Sequence, residues 1–304
     1  MISKFATVEE VFSEPFESIN RELLELNKKY KLIGHSELNR KRFYWHGKLP
    51  TDSTYYGARF WEFPFAILAA ELETGLKCAD IGCGSTPFTA YLCKKVGKEN
   101  VVGFDPDHVD ENSHSSFGAK KGFIKELGFE FHQNNMTQLD CPDESFDRVF
   151  CISVLEHIDS WRVKYEGLQE MVRILKPGGK LILTFDLGIE SPLNDILQII
   201  RLSGLTPANN IDLTWPKERF VNYGTSQVDV FGLVLIKSND EVFLNYDRSV
   251  TIPQYRCYEK TKELAQKLNI SCTEYLLLND LRGKFGKLKM ILKLLLNRYK
   301  ELNQ

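Results

Sequence analysis

The residues most suggestive of chemistry lie in Lys77-Cys78-Ala79-Asp80-Ile81-Gly82-Cys83-Gly84-Ser85-Thr86-Pro87: an acid, two closely spaced glycines, then a pair suited to starting a helix. Gly82 and Gly84 carry no Cβ, so a ligand can approach the backbone closely there. Thr86 suits an N-cap, and Pro87 suits the first helical position, where its missing N–H costs nothing. The bend is not a dinucleotide fingerprint, because Pro87 stands where the third glycine of that motif would pack helix against strand. It also lacks the Gly-Lys-Ser/Thr end of a phosphate-cradling loop. Asp80 would repel a pyrophosphate and attract an amino group, so the bend suits a ligand with a cationic head and no phosphates. An ordinary strand-to-helix turn would use the same two glycines, and on this segment alone that reading stays open.

The elements that must position these residues alternate as strand and helix. Lys77–Ile81 reads as a buried strand, and Phe88, Tyr91 and Leu92 give helical spacing up to a stop at Gly97. Asn100–Asp105 is a second short strand ending in an acid about 20 residues past the bend, a place from which a carboxylate binds ribose hydroxyls. Phe129–Gln133 alternates as a third strand, and Asn134, Asn135 and Met136 follow it, polar groups beside a flat hydrophobe suited to an adenine edge and face. Asp147–Val154 is a nearly continuous apolar run, as a doubly covered parallel strand requires. After Leu155-Glu156-His157-Ile158 comes a helix through Trp161, Leu168, Met171, Val172 and Leu175, which Lys176-Pro177-Gly178-Gly179 should stop before a fifth strand over 180–186.

At this point the chain resembles the class I S-adenosylmethionine-dependent methyltransferases. The resemblance rests on Ala79-Asp80-Ile81-Gly82-Cys83-Gly84, Val102-Gly103-Phe104-Asp105, Pro142-Asp143-Glu144-Ser145-Phe146-Asp147, Val154-Leu155-Glu156-His157-Ile158 and Leu175-Lys176-Pro177-Gly178-Gly179-Lys180-Leu181. Each is common alone, but five in family order over residues 74–186 are specific. The departure is Asn135, where the family often has an aspartate; an amide can both donate to and accept from a base.

The resemblance implies an α/β fold: a Rossmann-like, doubly wound, seven-stranded sheet with an antiparallel last strand, plus helical additions at both ends. Asp229–Lys237 would be that last strand, and a sixth is placed only loosely within 208–226. The implied cofactor is S-adenosyl-L-methionine. Asp80, Gly82, Cys83 and Gly84 would surround its methionine end, Asp105 and Pro106 the ribose, Asn135 and Met136 the adenine, and Ser153 would lie beneath the sulfonium. A lone Met is more often core filler. Arg59 could pair with the methionine carboxylate in a two-bond fork or, equally, with Glu62 on a helix start.

An activated sulfonium methyl needs alignment with an acceptor lone pair and exclusion of water. A hydroxyl acceptor also gains from a general base. His157, at the end of the fourth strand, is the first candidate, with packing against the next helix as its bland alternative. Glu156 and Asp186 are further candidates, since α/β sites gather at the carboxyl ends of strands. His46, His108, His114 and His132 show no metal-ligand spacing, so no metal is expected. The expected activity is in-line methyl transfer to a small or carbohydrate acceptor, favouring an O-methyl product on a glycan or its lipid-linked precursor. N-methylation of an amino sugar or small amine, and a non-catalytic binding protein of the same fold, are the alternatives.

Three segments follow: an aromatic-rich N-terminal extension over 1–73 that would serve as an acceptor lid, the cofactor-binding core over 74–238, and a helical element over 239–304. Tyr55, Tyr56 and Trp61 could stack on an acceptor or simply pack. The 304 residues, 43% of them hydrophobic, allow a sizeable core. The seven cysteines are scattered without a C-x-x-C pair, which points to reduced thiols and a cytoplasmic setting. No apolar leader and no run of about 18 apolar residues is present. Residues 281–300 carry seven basic side chains and no acid, so the rest of a chain with net charge −2 nets −9. That acidic remainder argues against a nucleic-acid partner. The basic stretch reads as an amphipathic helix that either docks on the domain or on a second copy as a homodimer, or rests on the inner face of an anionic membrane.

Overall fold

A computed structural model of the chain describes residues 2–30, 32, 58–109, 118–158, 160–187, 192–214, 220–222 and 226–238. The elements, in order, are β1 (Ser3–Phe5), α1 (Val8–Val11), α2 (Phe16–Tyr30), α3 (Arg59–Ala70), β2 (Cys78–Ile81), α4 (Pro87–Val96), β3 (Val101–Phe104), β4 (His108–Val109), β5 (Ala119–Lys120), α5 (Lys121–Leu127) and β6 (Glu130–His132). There follow β7 (Phe146–Ile152), α6 (Trp161–Ile174), β8 (Leu175–Leu187), α7 (Pro192–Ser203), β9 (Thr206–Pro207), β10 (Ile211–Asp212), β11 (Phe220–Asn222) and β12 (Ser226–Ile236).

One sheet runs in the order β10-β1-β12-β8-β7-β2-β3-β6. Its centre is parallel, and β12 is antiparallel to β8 from Asp229 opposite Leu187 to Ile236 opposite Lys180. The doubly wound sheet with a reversed last strand is therefore present. Because the pleat alternates, each strand feeds both faces. Phe150, Ile182 and Val234 join α2, α3, α4 and α5 in one core, while Val149, Leu183 and Phe231 join α6 and α7 in the other.

The loosely expected strand within 208–226 is present as two short pieces: β11 pairs antiparallel with β12, Phe220 opposite Val228, and β10 lies apart from it. Ile211–Asp212 is a two-residue strand at the far edge, pairing in parallel with β1 rather than with β12. Between β10 and β12 lies β1, antiparallel to β12, with Phe5 opposite Phe231. Ser3 and Phe5 are buried, Ser3 Oγ accepts the Val234 N–H at 2.9 Å, and Phe5 meets Phe231 edge to face at 5.1 Å.

The boundary expected at residue 73 is not a boundary in the structure. β1 lies within the sheet, and α2 and α3 cover one of its faces through Phe16, Ile19, Leu23, Trp61 and Phe65. The lid expected there lies at most in residues 33–57, outside the described residues, as do Tyr55, Tyr56, His46 and the segment 239–304 with its basic stretch. Lys176-Pro177-Gly178-Gly179 is also not a stop between helix and strand. It bulges inside β8, where the partner of Phe146 is Leu175 but that of Arg148 is Lys180. The bulge is pinned by the Gly178 N–H to the Lys237 carbonyl at 2.7 Å, while Lys237 Nζ donates to the Leu175 carbonyl at 2.7 Å and the Val172 carbonyl at 3.0 Å.

Candidate active site

The carboxyl ends of β2, β3, β7 and β8 converge. At β2 the chain turns through Gly82 and Gly84, with φ of 70° and 50°, a region that favours glycine. The turn is closed from within: Gly82 N–H and Cys83 N–H both donate to the Phe104 carbonyl, at 2.7 and 3.1 Å. Gly84 N–H donates to Asp105 Oδ2 at 2.9 Å, and Asp107 N–H donates to Oδ1 at 2.9 Å. Asp105 is thus fixed in orientation by two backbone donors, and burial raises its pKa even though both bonds favour the charged form. Ser85 latches the following loop over the turn by accepting the Lys120 N–H at 2.7 Å.

Asp80 sits beneath the turn, 3% exposed, and accepts from Thr89 Oγ1 on α4 at 2.7 Å. Burial, with Asp105 nearby, lifts its pKa to about 7, against the Thr89 bond that favours the charged form. Thr86 has the extended backbone of an N-cap, but its side chain makes no cap hydrogen bond; its hydroxyl lies 3.4 Å from that of Thr89. Thr89 belongs to none of the motifs above, although a hydroxyl in the first turn of a helix that follows an acidic strand end is a readable cue.

Ser153 follows the end of β7 with φ of 54°, its N–H donating to the Thr184 carbonyl at 2.8 Å and its hydroxyl to Glu156 Oε1. Glu156 belongs to the single turn Leu155–His157. Arg59 forms the ion pair with Glu62, so of its two expected pairings the described contacts show the internal one. Glu62 is fully buried and also accepts from Thr184 Oγ1 at 2.7 Å. Glu62, Glu156 and Asp186 all act to raise the Arg59 pKa against the effect of its burial. His157 is exposed; what burial it has, then the nearby Arg59, lowers its imidazole pKa.

Two side chains expected at the cofactor are buried. Met136 is 6% exposed in the core with Leu139 and Val149, and a Cβ on Gly167 of α6 would lie 2.1 Å from its Cε. Its side chain packs against that glycine, as core filler does. The Cys83 side chain is 1% exposed and faces Gly103, so only its backbone belongs to the turn. Asn135 is exposed at the end of β6, its Oδ1 accepting the Thr137 N–H at 3.3 Å. Pro106 is exposed, and its carbonyl accepts from Gln133 Nε2 at 3.2 Å. Among the described residues, no group of three or more acidic, His or Cys side chains could hold a metal ion.

A family model described as "Methyltransferase domain" matches residues 79–183, the stretch from β2 into β8. This segment is a class I S-adenosylmethionine-dependent methyltransferase domain. The methyltransferase segment is 29% identical over 108 residues to a sterol 24-C-methyltransferase of Gibberella zeae, covering 36% of this chain and 27% of that protein. It is 31% identical over 142 residues to a ubiquinone/menaquinone biosynthesis C-methyltransferase of Cronobacter sakazakii, covering 45% of this chain and 53% of the other. Among solved structures, YcgJ of Bacillus subtilis aligns with 59% of this chain and 99% of its own at 17% identity and a TM-score of 0.44. The matches to the first of these curated relatives span between 27% and 55% of their length. S-adenosylmethionine is the cofactor of such a domain, and the turn fits its close approach at Gly84, where a Cβ would meet nothing nearer than Thr86 Cγ2 at 3.7 Å.

Proposed function

We propose that the chain is a methyltransferase that moves a methyl group from S-adenosylmethionine to the hydroxyl of a small or carbohydrate acceptor. The observation that carries this reading is Asp105, oriented by Gly84 and Asp107 beside the open turn. In the proposal its carboxylate holds the ribose, and the open face at Gly84 admits the methionine end. With the Gly82 and Gly84 N–H groups engaged inside the fold, the backbone carbonyls and the buried Asp80 are the groups left to attract the ammonium. Asn135 and Pro106, both exposed on the same rim, flank the adenosine end. When bound, the cofactor supplies an electrophilic methyl on a sulfonium, so alignment and dryness are the protein's main tasks.

Glu156, His157 and Asp186 stand at the strand ends where the acceptor would enter, which supports a hydroxyl that gives up its proton there. A carbon acceptor is the second reading, favoured by the printed names of the sterol and quinone relatives.

Calorimetry with S-adenosylmethionine, followed by transfer of labelled methyl to candidate hydroxyl acceptors, tests the proposal. Asp105→Ala should weaken cofactor binding by roughly ten- to a hundred-fold, the scale of hydrogen bonds to a charged group. Unchanged affinity in that variant, or binding with no transfer to any acceptor, would sink it.

A further inference from the structure

Where α3 crosses the ends of β7 and β8, a polar network is enclosed whose last member is incomplete. Glu62, fully buried, is bonded to Thr184 and paired with Arg59. Glu156 Oε1 accepts from Ser153, but Glu156 Oε2 is buried and has no hydrogen-bond partner among the described residues. Buried carboxyl oxygens are seldom left without a donor, because the desolvation cost is then uncompensated. Ser153 holds its end of the bond from a left-handed backbone conformation, φ 54°, which a non-glycine residue adopts where its surroundings impose it.

We infer that Glu156 is the catalytic proton acceptor for a hydroxyl substrate, and that Ser153 and the Arg59–Glu62 pair are the residues that position it. This rests on the methyltransferase reading above and deepens it, since an alcohol or phenol oxygen becomes a better nucleophile as a base takes its proton. In the transfer, the acceptor oxygen's lone pair forms the bond to the methyl carbon, and the carbon–sulfur electron pair stays on sulfur. Glu156 Oε2 takes the hydroxyl proton and later releases it to water.

Electrostatics agree with the geometry. Burial first, and the neighbouring Glu62 second, raise the Glu156 carboxyl to about 7, with Ser153 and Arg59 acting the other way. A base is most effective with a pKa near the working pH. The charged and titratable groups around it are Arg59 and Glu62 from α3, Cys151 from β7, Asp186 of β8 acting through Arg59, and His157 on its own turn.

Infrared titration of the full chain carrying isotope-labelled glutamate reads this carboxyl directly. One glutamic acid band should titrate near neutrality, vanish in Glu156→Gln, and move to lower pH in Glu62→Gln, which removes a negative neighbour. A band that survives Glu156→Gln, or that Glu62→Gln leaves in place, overturns the network. In parallel, labelled methyl transfer to a small-molecule extract should fall about a hundred-fold or more in Glu156→Gln. Cofactor affinity in the same variant should hold within about two-fold, because the lost interaction belongs to the transition state. The rate profile of Glu62→Gln should shift down in pH together with its infrared band. Loss in His157→Gln with Glu156→Gln unaffected would give the role to the imidazole and overturn the inference. If the wild type transfers no label although it binds cofactor, the methyltransferase reading fails and the proton-acceptor role with it, while the infrared band still decides whether Glu62 governs Glu156.

Discussion

At the residue scale, burial sets the character of the site more than residue type does. The Asp80 carboxyl is lifted from 3.8 to about 7, chiefly by burial. The fold therefore prefers its protonated form, and this contribution to stability is complete below about 4 and lost as pH rises through about 7. Thermal melts of the cofactor-free protein should fall across that window, and Asp80→Asn, which keeps an acceptor for Thr89, should flatten the fall. A wild-type curve as flat as the variant's would refute this. Gly82→Val is a poor probe of binding by comparison: any Cβ there would meet Val154 Cγ2 at 2.5 Å on a backbone with φ of 70°. Such a change strains the fold by about 1–3 kcal/mol before affinity is at issue. Asp80, Gly82, Gly84 and Asp105 were legible in the sequence because a strand end, a glycine bend and a second acidic strand end are local signals. Glu62 was legible only as the ion-pair partner of Arg59; its contact with Thr184 spans 122 positions, and no spacing rule reports that.

At the element scale, α3 is the least expected helix. Its Arg59-Phe60-Trp61-Glu62-Phe63-Pro64-Phe65 run has neither a clean helical nor an alternating period, and Pro64 removes the N–H that would bond the Phe60 carbonyl. The structure supplies the missing donor from another element: Asn20 Nδ2 on α2 reaches that carbonyl at 2.9 Å, in a buried setting. Trp61, weighed as a stacking surface for an acceptor, is fully buried instead, stacked on Phe65 at 4.6 Å with its indole N–H given to Glu10 at 2.8 Å. Asn20→Ala should cost about 0.5–1.5 kcal/mol, the net worth of one lost hydrogen bond. Adding Pro64→Ala should recover part of that loss, since the restored N–H can serve the same carbonyl. A denaturation cycle measures the coupling, and strictly additive effects would refute the compensation.

At the scale of the whole molecule, the sheet class was readable because its central strands are continuous apolar runs joined by helices. The strand beside β12 was not, since Ser3-Lys4-Phe5 is too short to show a period and its partner is remote. Phe5 is 1% exposed against Phe231. Phe5→Ala should therefore cost about 3–5 kcal/mol, as large truncations in a core do. Chemical unfolding would reveal it, and a loss below about 1 kcal/mol would show that β1 is dispensable. The bond from Val234 to Ser3 spans 231 positions of sequence. At ribosomal speeds of about 5–20 residues per second, β1 is synthesised roughly ten to fifty seconds before its mate. For that interval a greasy phenyl ring waits without its mate, so the yield of folded protein should follow the supply of holding chaperones more closely than the finished molecule's melting point.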